Sequence, residues 1–155
     1  MQFTSSEEID APIEAVFREV TDFAAFERSA RRRGAEVRRT DMLAEPGVGM
    51  GWHARFTLRG QLREVDIVLV THDAPNAITL DAGSQAVTGR MQVDLLALSP
   101  ARTRLAVDLT VAPQGLAGRM MMQPVKLMRG NLDKRFRLRV AAFATDVEDR
   151  FKSRV

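Results

Sequence analysis

The last part of the sequence, residues 115 to 151, reads GLAGRMMMQPVKLMRGNLDKRFRLRVAAFATDVEDRF. Apolar side chains recur in it about every four residues, a spacing that places them on one face of an α-helix. The recurring residues are Met120, Met128, Leu132, Phe136, Val140, Phe143, Val147 and Phe151. This spacing predicts a long C-terminal helix with one apolar face.

The head of this segment combines three consecutive methionines with a proline and flanking glycines. Methionine is the most adaptable apolar side chain, and glycine weakens a helix interior. Pro124 cannot donate a hydrogen bond to the carbonyl of Met120, so we expect a kink or break there. The composition indicates a deformable apolar element, which either covers an open cavity or fills irregular gaps in an ordinary core.

The residues before this segment predict one strand, two short helices and then a run of strands. Residues 3 to 9 have the pattern of a strand, residues 13 to 20 carry apolar side chains at helical spacing, and Asp22 begins a second short helix. Between residues 35 and 111, short segments of alternating apolar and polar residues are separated by turn residues. Short turns between consecutive strands favour an antiparallel sheet.

The composition predicts one globular domain over residues 1 to 155. The chain has 45% hydrophobic and 28% charged residues, which is enough for one sizeable core. It has no cysteine, so disulfides and Cys-ligated metals are excluded, and its two histidines, His53 and His72, cannot build a multi-His site. We therefore expect no metal and no cofactor. The chain lacks a secretory pattern and a bilayer-spanning apolar run, so we expect a cytoplasmic protein.

The charge of the chain is modest, at +3, although arginines cluster in two places. The clusters are Arg28, Arg31, Arg32, Arg33, Arg38 and Arg39, and then Arg129, Lys134, Arg135, Arg137 and Arg139. Such runs are usually solvated faces, but a contact with a membrane surface or RNA is an alternative. Aromatic residues are only 6% of the chain and are not interleaved with the basic ones, which disfavours recognition of nucleic acid by base stacking.

The segment around residue 64 holds the candidates for acid-base chemistry. Glu64 and Asp66 alternate with Val65, so a regular strand places both carboxylates outside. A bulge in the strand, or a strand whose other face is inward, would make them the best catalytic candidates. Arg63 shares the inner parity of Val65, and an inward guanidinium could hold a carboxylate or an enolate. Its place beside the turn at Gly60 favours an edge position instead. The sequence assigns no catalytic residue.

The order of elements resembles the helix-grip architecture of the START-like (SRPBCC) superfamily, whose bacterial members include polyketide cyclase/dehydrase-like and lipid-transport-like proteins. The stretches that carry the resemblance are residues 9 to 27, 47 to 60 and 103 to 121 and the basic, amphipathic C-terminal stretch. The resemblance implies an α+β fold, in which a curved antiparallel sheet wraps around a long C-terminal helix and two short helices follow the first strand.

The resemblance also implies an apolar cavity between the sheet and the C-terminal helix. Its wall would include Trp52, Phe56, Ile67, Leu80, Met91 and Leu105, and its lid Met120, Met121, Met128 and Leu132. The implied function is binding or transport of a hydrophobic or amphipathic molecule such as a lipid, an isoprenoid or a polyketide-like compound. The alternatives are a cyclase or dehydratase-like enzyme and a basic surface interaction module, with peripheral membrane contact left open. The sequence does not indicate an oligomeric state.

Overall fold

A computed structural model describes all 155 residues as seven strands and four helices. The strands are β1 (Gln2–Ile9), β2 (Glu36–Arg39), β3 (Gly51–Leu58), β4 (Gln61–Asp73), β5 (Ala77–Gly83), β6 (Val87–Ser99) and β7 (Arg102–Pro113). The helices are α1 (Ile13–Val20), α2 (Phe23–Arg32), α3 (Gly115–Leu127) and α4 (Arg129–Ser153). The predicted order of one strand, two short helices, a run of strands and a C-terminal helical region is confirmed.

All seven strands form one antiparallel sheet in the order β1, β7, β6, β5, β4, β3, β2. The sheet is open and curved, and its concave face packs against α4, which confirms the helix-grip fold. The alternation of inward and outward side chains agrees in neighbouring strands, because Trp52 pairs with Ile67 and Leu80 with Met91. The ring of Phe3 on β1 lies 5.9 Å from that of Phe136 on α4.

The two short helices close one end of the space between the sheet and α4. Val16, Phe17 and Val20 on α1 are buried together with Phe23 at the start of α2. Asp22 is the N-cap of α2, and its Oδ1 atom accepts a hydrogen bond from the amide of Ala25 at 3.2 Å. Since each fully buried side chain of this size stabilises the fold by about 1.5 to 3 kcal/mol, this end is the firmest part of the interior.

The C-terminal segment forms two helices, and the break lies at Met128 rather than at Pro124. Helix α3 continues through Pro124. Proline has no N–H group to bond the carbonyl of Met120, but Met120 is exposed, so water can bond that carbonyl instead. Met128 has a φ of −98° and a ψ of 11°, and it is both the C-cap of α3 and the N-cap of α4. The buried face of α3 is therefore not a simple continuation of the apolar face of α4.

Helix α3 crosses the other end of the space between the sheet and α4, opposite α1 and α2. At its start, the amide of Gln114 donates to the carbonyl of Ala86 in the β5–β6 turn at 2.7 Å. At its end, Nη2 of Arg59 in the β3–β4 turn lies 3.0 Å from Sδ of Met128. Gly118 packs against the Ala86 carbonyl so closely that a Cβ atom would lie 2.1 Å from its oxygen. The glycine therefore sets both the position and the rotation of α3.

The connection from β2 to β3 is anchored by an ion pair between Arg39 and Asp41. Nε of Arg39 donates to Oδ2 of Asp41 at 2.8 Å, and the carboxylate also accepts from the amides of Leu43 and Gly51. These hydrogen bonds hold the pKa of Asp41 well below its usual range. The Arg39 guanidinium also lies 5.9 Å from the ring centre of Trp52, so the anchor braces that side chain.

Replacing Gly118 by alanine should destabilise the fold by about 1 to 3 kcal/mol, because the added methyl group collides with backbone that cannot move aside cheaply. The matched control is Gly130→Ala in the first turn of α4, where nothing lies within 4 Å of the added carbon. This change should leave the stability unchanged or raise it by up to about 1 kcal/mol. Urea denaturation of both variants checks the prediction, and equal effects would contradict it.

Replacing Asp41 by asparagine should lower the thermal midpoint at neutral pH. A carboxyl group whose pKa is lowered by folding contributes its stabilisation above the pKa of the unfolded chain, about 3.9, and loses it as the pH falls further. The gap between the wild type and the variant should thus be constant from pH 7 to 5 and shrink toward pH 2. Asp146→Asn, which alters an exposed carboxylate outside any ion pair, is the control. A gap that widens in acid would refute the assignment.

Candidate functional site

The side chains on the inner face of the sheet become steadily more exposed toward the end crossed by α3. Along β3, Trp52 is 6% exposed, Phe56 is half-buried and Leu58 is 54% exposed. Along β4, Leu69 is fully buried whereas Val65 is half-buried. The other inner strands and α4 show the same change from a buried to a half-buried side chain. The pairs are Ile78 and Leu80 on β5, Leu95 and Met91 on β6, and Leu105 and Leu109 on β7, and on α4 Val147 is buried whereas Phe136 and Leu132 are half-buried.

This gradient divides the interior into two halves. The closed half lies beside α1 and α2 and holds the buried core around Leu69, Leu105 and Val147. The open half lies beneath α3, between the half-buried inner side chains of the sheet and the first turns of α4, and includes Phe56 and Leu132. Inward apolar side chains that stay partly accessible mark a concave surface on which a small molecule could lie.

Arg63 is the charged side chain on the inner face of the open half. It pairs with Phe56 across the β3–β4 ladder and is half-buried. Its Nη2 atom donates to Oε1 of Gln61 at 2.8 Å, but its Nε atom is buried and has no hydrogen-bond partner. Arg63 therefore has the inner parity that it shares with Val65, at the end of the sheet beside the turn at Gly60.

The two neighbouring carboxylates lie on the opposite face of the sheet, as the regular alternation predicts. Asp66 contacts Nδ1 of His53 at 2.7 Å, and Glu64 contacts Nε of Arg55 at 3.0 Å. The ladder is regular along this part of β4, because its irregularity comes later, between Leu69 and Thr71. These carboxylates therefore form cross-strand polar contacts on the outer surface.

The irregularity in β4 has its own effect, since it turns His72 toward the interior. His72 pairs with the buried Ile78, and its ring lies 5.4 Å from that of Phe17 in an edge-on arrangement. The sequence does not indicate this inward position, because a bulge leaves no mark in the alternation of residues. Nowhere in the chain do three or more His, Asp or Glu side chains converge as metal ligands would.

The residues expected to form the cavity wall are divided between the two halves. Trp52 and Leu105 belong to the closed half, where Trp52 packs 5.1 Å from the Phe23 ring and donates from Nε1 to Glu27 at 3.0 Å. The others are half-buried on the inner face, namely Phe56, Ile67, Leu80 and Met91. Trp52 and Leu105 are therefore packed against their neighbours, whereas the other four remain partly accessible.

The residues expected to form the lid are also placed differently from one another. Met121, Met128 and Leu132 are half-buried, but Met120 is 68% exposed, and Met122 is the methionine of α3 that is buried. Met120 was expected to face inward because it continues the four-residue apolar spacing of α4 toward the N-terminus, through Met128. Because the helix breaks there, the contact of Gly118 sets the rotation of α3 instead.

Two depressions in the molecular surface lie away from these residues. One of about 130 Å³ lies between α1 and the end of α4, beside Phe151, and the other of about 310 Å³ lies between β1 and α4, beside Glu7 and Arg137. Neither contains a residue expected to line the cavity. The ligand-sized cavity between the sheet and the methionine segment therefore stays a prediction, with the open half as its place.

Comparison with solved structures shows the same fold in proteins of low sequence identity. The Zhui aromatase/cyclase from a Streptomyces species has a TM-score of 0.66 and 14% identity, over 97% of this chain and 95% of that one. A START superfamily protein from Mycobacterium smegmatis has a TM-score of 0.56 and 14% identity, over 86% and 95%. Norcoclaurine synthase from Thalictrum flavum has a TM-score of 0.65 and 9% identity, over 97% and 95%.

Comparison of the sequence identifies the family directly. No curated protein matches the chain. The family model described as "Polyketide cyclase / dehydrase and lipid transport" matches residues 1 to 148, which is nearly the whole chain. The expected resemblance is thereby confirmed, and the chain belongs to the polyketide cyclase/dehydrase and lipid transport family.

Proposed function

We propose that this protein binds a small amphipathic molecule, with its apolar body in the open half and an oxygen-bearing end against Arg63. The observation that carries the proposal is the buried Nε atom of Arg63, which has no partner within the protein. Lipids, isoprenoids and polyketide-like compounds have such a shape. The family description, which joins polyketide cyclases with lipid transport, is compatible with ligands of this class.

The energetics of Arg63 favour a ligand with a carboxylate or an enolate oxygen. A buried donor without an acceptor costs about 1 to 3 kcal/mol, and Gln61 occupies only the Nη2 side of the guanidinium. A guanidinium presents parallel N–H groups that match two carboxylate oxygens. An anionic oxygen placed there offsets the cost of the unpaired donor, which a purely apolar ligand cannot do.

The surrounding side chains suit the apolar part of such a ligand. Phe56 lies directly across the ladder from Arg63, and Val65 follows on the same face. On the helical side, Met121 and Met128 are half-buried and have flexible side chains that can repack around different shapes. The open half thus combines one fixed polar contact with an adaptable apolar lining, which is typical of small-molecule sites.

Replacing Arg63 by methionine should weaken binding of an anionic probe and leave the fold as stable as before, or more so. Methionine keeps the apolar stem and removes the unpaired donor. With the fluorescent fatty acid cis-parinaric acid, the dissociation constant should rise by about 10- to 100-fold, as the loss of a charge-assisted hydrogen bond predicts. For the methyl ester of the same acid it should change little. Fluorescence titration measures both.

The matched control is Arg90→Met on the opposite face of the sheet, where the guanidinium bonds the carboxylate of Asp81 at 2.6 and 2.8 Å. This variant should bind both probes as the wild type does. The proposal fails if Arg63→Met binds the acid as tightly as the wild type, or if acid and ester lose affinity equally. A large loss of thermal stability in Arg63→Met would show that the arginine is structural.

A second candidate function is that of a cyclase-like enzyme, and it rests on the same arginine. A guanidinium that binds a carboxylate also stabilises the enolate formed when the carbon between two carbonyl groups passes a proton to a solvent water molecule. The test is proton exchange at that carbon in a 1,3-diketone dissolved in heavy water, followed by NMR. Acceleration by the wild type but not by Arg63→Met would favour the enzyme, whereas binding without acceleration would favour a carrier.

A further inference from the structure

The outer side of α3 and the neighbouring β3–β4 turn expose large apolar side chains to solvent. We call this region the mouth surface, because it borders the open half. Its apolar members are Leu58, Leu116, Met120 and Leu127, whose exposed fractions range from 54% for Leu58 to 90% for Leu127. Side chains of this size rarely gather on a surface that faces only water, and such gathering marks a site of contact.

The mouth surface is also entirely basic. Arg59, Arg119, Lys126 and Arg129 are exposed on it, and residues 111 to 132 contain no aspartate or glutamate. Residues 57 to 63 of the turn contain none either. The four cations therefore have no acidic neighbour in either segment, and the mouth surface carries a local positive charge.

We propose that the mouth surface docks on a bilayer that contains anionic lipids. Leucine and methionine side chains enter the boundary between headgroups and acyl chains, while arginine and lysine reach the lipid phosphates. The break at Met128 separates α3 from α4, so the exposed side of α3 forms a surface of its own at this end of the molecule. No helix of the protein is long and apolar enough to cross a membrane, so the contact is a peripheral one.

The combination of side chains distinguishes a bilayer from other anionic partners. An RNA surface would favour the cations but gain nothing from exposed Leu116 and Leu127, and the mouth surface has no exposed aromatic ring for stacking. An acidic protein would need an apolar patch of matching shape. A bilayer needs no such match, because its surface adapts to scattered apolar side chains between cations. Docking in this position places the open half against the lipid phase.

Vesicle flotation tests the proposal without any cargo, so its result is independent of the binding function of Arg63. The protein should float with vesicles of phosphatidylcholine and phosphatidylglycerol in equal parts, float much less with pure phosphatidylcholine, and be released by high salt. The double variant Arg119→Gln/Lys126→Gln should bind the anionic vesicles about tenfold or more weakly, and Met120→Ser/Leu127→Ser should lose a similar factor.

The controls change the same residue types elsewhere. Met42→Ser/Leu43→Ser alters exposed apolar side chains of the β2–β3 connection, and Arg28→Gln/Arg38→Gln removes two exposed cations. Both should float as the wild type does. The proposal is overturned if the controls lose as much binding as the mouth variants, or if pure phosphatidylcholine binds equally well. It is also overturned if Met120→Ser/Leu127→Ser leaves flotation intact while the charge variant abolishes both flotation and binding to a poly(U) RNA.

Discussion

The packing of α4 across the concave face of the sheet is the contact on which every other part of the structure depends. It is uneven along the helix. Val140, Ala144 and Val147 are buried at one end, whereas Phe136 and Leu132 are only half-buried toward the other. The short helices α1 and α2 fill the first end with apolar side chains, so the fold has a firm base there. The second end remains more accessible, because no comparable set of helical side chains fills it.

The sequence predicts the arrangement of elements well because that arrangement rests on local patterns. Apolar residues recur every second position in the strands and about every fourth position in α4, and these spacings identify the side chains that face the interior. Asp22 marks the start of α2 by a cap that acts within a few residues. The outward position of Glu64 and Asp66 also follows from strand alternation, since β4 is regular at that point.

The details of the candidate site depend on contacts between distant residues, which no local pattern contains. The rotation of α3 comes from Gly118 against Ala86, so the sequence could not show that Met122 rather than Met120 is buried. The inward turn of His72 comes from a bulge. The buried Nε atom of Arg63 depends on how much space the inner face leaves beside it, and alternation alone gave only the side on which it lies.

The two ends of α3 have a consequence for the rate at which a bound molecule would leave. At the start, Gly115 has a positive φ of 65°, and at the end Met128 separates α3 from α4. Rotation at these two points would swing α3 outward as one body, which would separate Gly118 from Ala86 but leave α4 folded and the sheet paired. The residence time of a guest would then be governed by how often α3 opens, and not only by the strength of its contacts with the interior. A tight complex and a rapid exchange at a membrane are compatible on that basis, since lipid contacts that stabilise the open position of α3 would speed release.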